Sequence, residues 1–130
     1  VLCTGYPPIM VETEIDQLSL LLEQIERLGK LSASLILTGH GKEGSDLSVR
    51  CDQVIDHFRR QTDSFLTLCQ SGELDLGELS YRSTLGDRRT PWESRSIFGR
   101  RSLITQTMAF TTYFMAKGVL PKVYDIIPLR

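Results

Sequence analysis

The chain has 130 residues, of which 41% are hydrophobic and 24% are charged. This length fits one domain, and the composition is typical of a soluble globular protein and excludes global disorder. The net charge of −1 conceals an asymmetry, because residues 1–80 carry thirteen acids against six bases and residues 81–130 carry nine bases against three acids. This asymmetry favours a polyanionic partner, although the basic part could instead dock on the chain's own acids or on a second copy.

The sequence contains no metal-ligand or redox motif. Cys3, Cys51 and Cys69 lie in no CxxC or His-rich cluster, and we predict reduced thiols. His40 and His57 lack a second ligand at a metal-binding spacing, so neither a metal site nor a cofactor is predicted. The most hydrophobic window, 103–116, is shorter than the roughly 20 residues that span a bilayer. We therefore expect no membrane span and an intracellular location, cytoplasmic or nuclear.

The first helix is predicted to begin at Thr13, a suitable N-cap, after an extended arm over residues 1–12 that contains Pro7 and Pro8. Apolar residues then recur at three- and four-residue steps, namely Ile15, Leu18, Leu21, Leu22, Ile25 and Leu28. Residues 31–38 fit either a continued helix or a short strand, and the pattern favours the helix. Three glycines within residues 39–44 then break the chain.

The second helix has the most regular apolar periodicity in the sequence. Its predicted N-cap is Ser45, Gly72 ends it, and its apolar stripe consists of Leu47, Cys51, Val54, Phe58, Phe65 and Cys69. Residues 73–79 alternate acids with leucines, which suits a short helix or a strand.

A long surface loop is predicted over residues 80–96, since this stretch is rich in Ser, Thr, Gly, Arg and Pro. Ser96 then caps a third, mostly apolar helix that runs through Ile97 and Phe98 to Gly118 and should be central. Residues 119–130 form an extended tail. The predicted fold is all-α, a small bundle of three main helices within a single domain over residues 1–130.

The arginine-rich segment is the candidate site for an anion or a partner. Guanidinium groups match phosphate geometry, and aromatic rings beside them offer stacking surfaces for single-stranded bases. The residues assigned to this site are Arg82, Arg88, Arg89, Trp92, Arg95, Arg100 and Arg101. An arginine-rich loop paired with the chain's own acids explains the segment equally well. No catalytic residue is assigned.

Two enzymatic alternatives carry less weight. Gly39-x-Gly41-x-x-Gly44 matches a dinucleotide-binding fingerprint literally, but no convincing second strand follows and no acid lies where the ribose would need it. A cysteine paired with a histidine would support a thiol enzyme, although no spacing predicts such a pair.

The leading hypothesis is a non-catalytic helical interaction module that self-associates or binds a protein partner and places the arginine segment on an anionic surface. The alternative is a nucleic-acid-binding or nucleoprotein-associated factor in which the phosphates of RNA or DNA are contacted by Arg88, Arg89, Arg95, Arg100 and Arg101. A sequence pI near 6.1 argues against a dedicated nucleic-acid domain.

Overall fold

The computed structural model describes residues 9, 15–38, 44, 46–72, 75–83, 85 and 89–120. These residues form α1 (Gln17–Gly29), α2 (Leu47–Gln70), α3 (Leu76–Arg82) and α4 (Ile97–Ala116), with a 3-10 turn at Trp92–Ser94 and no strand. The predicted all-α fold is confirmed, with a short helix, α3, added to the three expected ones. Of the predicted arms 1–12 and 119–130, all but Ile9, Val119 and Leu120 lie outside the described residues, as does the proposed cap Thr13.

The chain divides into two compact units. The first contains residues 19–60, hence most of α1 and the first half of α2. Its buried apolar side chains are Ile25, Leu47, Cys51, Val54, Ile55 and Phe58. A Cβ built on Gly29 would lie 3.2 Å from the Cys51 Cβ, so the end of α1 lies close enough to α2 that a larger residue would crowd Cys51.

The helix predicted over residues 31–38 was wrong, because α1 ends at Gly29. The Lys30 and Leu31 amides donate to carbonyls three residues back, which tightens the last turn. Had α1 continued, its 3.6-residue period would have turned Leu31 and Leu35 away from the face that buries Leu18 and Ile25. Instead, Ile36 and Gly44 exchange two backbone hydrogen bonds as an isolated antiparallel bridge.

The N-cap of α2 is Asp46, one residue after the predicted Ser45, which itself lies outside the described residues. The Val49 amide donates to Asp46 Oδ1 at 2.9 Å, and this satisfies one of the unpaired amides of the first turn. The predicted end near Gly72 is confirmed, since α2 runs to Gln70.

The second unit contains Ile9, residues 15–18 and the chain from residue 61 onward, and its core is aromatic. The Phe65 ring lies 5.6 Å from that of Phe110 and stacks on that of Phe114 at 6.3 Å. Two fully buried hydroxyls of α4, on Thr107 and Thr111, donate to carbonyls one turn earlier. No buried polar side-chain atom of the described residues lacks a hydrogen-bond partner.

Both ends of α4 follow the sequence signals. At its start the Gly99 amide donates to Ser96 Oγ, as expected of an N-cap. At its end Gly118 has φ +67°, and the Gly118 and Val119 amides donate to the Met115 and Phe114 carbonyls. This is a Schellman motif, which requires a left-handed residue and so favours glycine.

α3 covers most of residues 75–79, which fitted either a short helix or a strand, and its last turn replaces the start of the predicted loop 80–96. Asp75 caps α3 by accepting a hydrogen bond from the Glu78 amide at 2.8 Å. α3 packs against α4, with Leu79 and Ser80 buried. The arginine segment therefore begins at the end of α3, with Arg82, and ends in the first turns of α4, with Arg100 and Arg101.

Candidate functional site

The arginine segment folds back on itself around the single tryptophan. The Tyr81 ring at the end of α3 meets the Trp92 ring edge-on, with 6.3 Å between their centroids. The Tyr81 hydroxyl donates to Glu93 Oε1 at 3.0 Å. α3 and the 3-10 turn are thus joined by an aromatic contact and a hydrogen bond.

Arg100 fastens the 3-10 turn to the first turns of α4. Its Nε donates to the Trp92 carbonyl at 3.1 Å and its Nη2 donates to the Glu93 carbonyl at 2.9 Å. The guanidinium carbon also lies 5.6 Å from the centroid of the Trp92 ring, within the range of a cation–π contact. Arg100 and Trp92, two of the predicted site residues, therefore have a structural role in this fold.

The remaining predicted arginines differ in their surroundings. Arg82 pairs with Glu78 one turn earlier, with 2.7 Å between Nη2 and Oε1. Arg89 is exposed and Arg95 is half-buried, and each takes part in interactions within the chain. Arg88 lies outside the described residues. The basic segment is thus partly occupied by intramolecular contacts.

Arg101 is exposed, and its guanidinium makes no hydrogen bond or ion pair with the described residues. Beside it in the first turn of α4, Ile97 is 79% exposed and Phe98 is 77% exposed. These three residues are called the α4 tip below. No acid lies in the first turn of α4, so the positive end of the helix dipole and Arg101 act together.

The exposure of Ile97 and Phe98 corrects the prediction that α4 is central along its whole length. The buried positions of α4 follow a helical stripe through Leu103, Thr107, Phe110 and Phe114. Ile97 and Phe98 lie off this stripe when it is extended backwards by helical steps. Their flanking arginines were the sequence signal that this turn faces outward.

The two compact units do not reproduce the charge asymmetry of the sequence. Among the described residues, the first unit has five acids and five bases, and the second has five acids and six bases. The charge asymmetry appears when the sequence is divided at residue 80, and it disappears when the residues are grouped by compact unit. What remains is a local basic feature at the α4 tip and not a basic half of the protein.

The Glu93 carboxyl has a pKa below its ordinary value. Its own backbone amide contributes most, the Tyr81 hydroxyl contributes next, and the Arg100 charge adds to both. The same hydrogen bond and the Glu93 charge raise the pKa of Tyr81. Since the pKa of Glu93 is depressed, its stabilising contribution is present above the unfolded pKa and is lost as pH falls through the folded pKa.

We expect Tyr81→Phe to raise the pKa of Glu93 toward its ordinary value, because the donor hydroxyl is removed and the ring is kept. The stability that is lost when Glu93 is protonated at acid pH should therefore be smaller in this variant. Carboxyl chemical shifts followed by NMR during a pH titration would measure this change. An unchanged Glu93 titration in Tyr81→Phe would show that the hydroxyl does not act on this carboxyl.

The residues of the enzymatic alternatives are described only in part. Burial raises the pKa of the Cys51 and Cys69 thiols, which disfavours the reactive thiolate. The pKa of His57 is lowered, first by burial and then by Arg60 and Arg50. Gly44 lies in the isolated bridge, while Gly39, Gly41, His40 and Cys3 lie outside the described residues.

Within the part of the chain that the structure describes, no three His, Cys, Asp or Glu side chains are grouped to hold a metal ion. None of the described helices has the length and hydrophobicity needed to cross a bilayer. Comparison of the chain with protein-family models, curated proteins and solved structures finds no match. The geometry of the α4 tip and its surroundings is therefore the basis for inferring a function.

Proposed function

We propose that this chain is a non-catalytic helical interaction module that self-associates or binds a protein partner, and that its α4 tip contacts an anionic surface. The observation that carries this proposal is the exposure of Ile97 and Phe98 beside Arg101. Single exposed apolar side chains are common, whereas two adjacent ones that are each more than three-quarters exposed favour a contact surface. Burial of such a side chain contributes about 1.5–3 kcal/mol.

The charge of the partner surface follows from the electrostatics of the α4 tip. The first amides of α4 and the Arg101 guanidinium present positive charge, and the first turn supplies no acid to neutralise it. An anionic group at this position would interact favourably with both. Arg101 is the principal contact in this proposal, while Arg100 holds the supporting turn.

Self-association is supported by a second exposed apolar segment, in the first unit. Leu31, Leu35 and Leu37 follow α1 with exposures of 61%, 54% and 77%. The bridge between Ile36 and Gly44 fixes the backbone between Leu35 and Leu37. Contact with a second copy would remove these leucines from water.

The nucleic-acid alternative receives less support from the same contacts. Trp92 is half-buried beneath Arg100, and Arg82 and Arg100 are engaged within the chain. Binding to nucleic acid depends on several uncommitted cations that each neutralise a phosphate. The nearly balanced charge of each unit further weakens this alternative.

Light scattering of the protein with and without poly-glutamate tests both parts of the proposal. We expect the mass to rise with protein concentration, and Leu37→Ser to reduce that rise. We expect poly-glutamate to bind at low salt, and Arg101→Glu to weaken this binding while Arg60→Glu, an equal charge change on exposed α2 surface, does not. A monomeric mass at all concentrations would remove self-association, and equal losses in both charge variants would remove the α4 tip as the anionic contact.

A further inference from the structure

The α4 tip carries its apolar and cationic side chains at different heights along the helix axis. Ile97 and Phe98 are the first residues of α4, and Arg101 follows about one turn later, a rise of roughly 5.4 Å. Helical side chains tilt toward the N-terminus, so the long Arg101 side chain extends back toward the apolar pair. The resulting order, an apolar end with a cation behind it, matches the order of acyl chain and headgroup phosphate in a bilayer.

Two amphipathic aromatic side chains support this end of α4. Trp92 contacts Arg100, and Tyr81, 54% exposed, meets the edge of the Trp92 ring. Tryptophan and tyrosine are enriched at membrane–water interfaces because each combines an apolar ring with a polar group. The surroundings of the α4 tip therefore have the composition of an interfacial anchor.

The exposed apolar surface is confined to the first turn. Farther along α4, Ile104 and Met108 are half-buried and Leu103 is buried, so no exposed apolar stripe continues along the helix. A partner helix would require such a stripe at three- and four-residue spacing. Two exposed apolar side chains at the end of a helix suit a lipid bilayer surface, into which they can insert without a matching apolar stripe.

We propose that the α4 tip binds a bilayer surface containing anionic lipids, with Ile97 and Phe98 at the acyl boundary and Arg101 at the headgroup phosphates. This inference rests on the proposed anionic-surface contact and names its partner. One pair of apolar side chains and one uncommitted arginine give weak, reversible attachment, since stable anchoring needs additional signals. Clustering of several copies on one surface would strengthen it.

The test is co-sedimentation of the full chain with vesicles of phosphatidylcholine alone or mixed with phosphatidylserine. We expect binding to the mixed vesicles only, weaker at high salt. Trp92, the single tryptophan, reports binding through its fluorescence. Phe98→Ser is expected to lower the partition coefficient roughly tenfold or more, and Arg101→Glu is expected to lower it about tenfold.

Matched controls are Val49→Ser, a half-exposed apolar side chain in the first turn of α2, and Arg60→Glu. Both should bind as the unchanged protein does, with circular dichroism confirming that every variant is folded. No binding to mixed vesicles at low salt, equal binding to phosphatidylcholine alone, or equal losses in the controls would each overturn the lipid assignment. If poly-glutamate still binds through Arg101 while vesicles do not, the lipid inference fails and the proposed anionic contact stands. Loss of binding to both probes refutes the lipid inference and the anionic contact together.

Discussion

Phe65→Ala is expected to lower the free energy of unfolding by about 3–5 kcal/mol, the largest effect anticipated for a single substitution in this chain. Phe65 is fully buried, and its ring contacts those of Phe110 and Phe114. Truncation to alanine leaves a cavity beside the Phe110 and Phe114 rings of α4, and the closely packed surrounding side chains can collapse only partly into the space.

Urea unfolding followed by circular dichroism would measure this loss. Phe98→Ala is the matched control, because the same atoms are removed from a side chain that is 77% exposed. We expect that control to remain within about 0.5 kcal/mol of the unchanged protein. Similar losses in the two variants would contradict the assignment of Phe65 to the core and of Phe98 to the surface.

Arg100→Ala is expected to destabilise the second unit by about 1.5–3 kcal/mol, because the guanidinium makes charge-assisted hydrogen bonds to two backbone carbonyls. The cation–π contact with Trp92 is lost in the same variant. Arg100→Lys should recover only part of the stability, since an ammonium group cannot reproduce the planar fork of the guanidinium.

Trp92 fluorescence and urea unfolding together test this role. We expect the Trp92 emission to shift toward that of exposed tryptophan in Arg100→Ala and to stay unchanged in Arg101→Ala. Arg101 is the matched control because it is the neighbouring arginine and its guanidinium makes no hydrogen bond or ion pair with the described residues. Equal effects of the two substitutions would refute the distinction between a structural Arg100 and a surface Arg101.

This distinction bears directly on function. If Arg100 holds the 3-10 turn and Arg101 contacts the partner, Arg100→Ala should mainly lower the free energy of unfolding. Arg101→Glu should weaken binding and leave stability unchanged. Variants at these adjacent positions therefore separate the scaffold of the candidate site from its contact surface. The sequence alone did not distinguish Arg100 from Arg101, and both were assigned to the same arginine-rich site.

The prediction of the helices succeeded where local signals and burial agreed. The long apolar stripe predicted α2, and Ser96 and Gly118 predicted the ends of α4. Prediction failed over residues 31–38, where leucines suggested a helix but their period pointed them away from the buried face of α1. It left residues 73–79 open because a segment that short fits either helix or strand.

The candidate site could be predicted only as a composition of residues. Neighbouring positions in the sequence indicated a basic segment with two aromatic residues. They could not show that Trp92 lies beneath Arg100, or that Arg82 pairs with Glu78. Such contacts depend on distances between α3, the 3-10 turn and α4, and no local periodicity encodes those distances.

The sequence by itself determined the all-α fold, the three long helices and the position of the arginine-rich segment, because periodicity, capping and composition are properties of neighbouring residues. Only the tertiary structure decided which arginines are committed within the chain and which face outward. The tertiary structure also leaves Ile97 and Phe98 exposed, and it groups the residues into two units whose described acids and bases are nearly equal in number. The physical reason is that burial and pairing depend on which residues meet in space, and α3 and α4 bring together side chains that are separated along the chain.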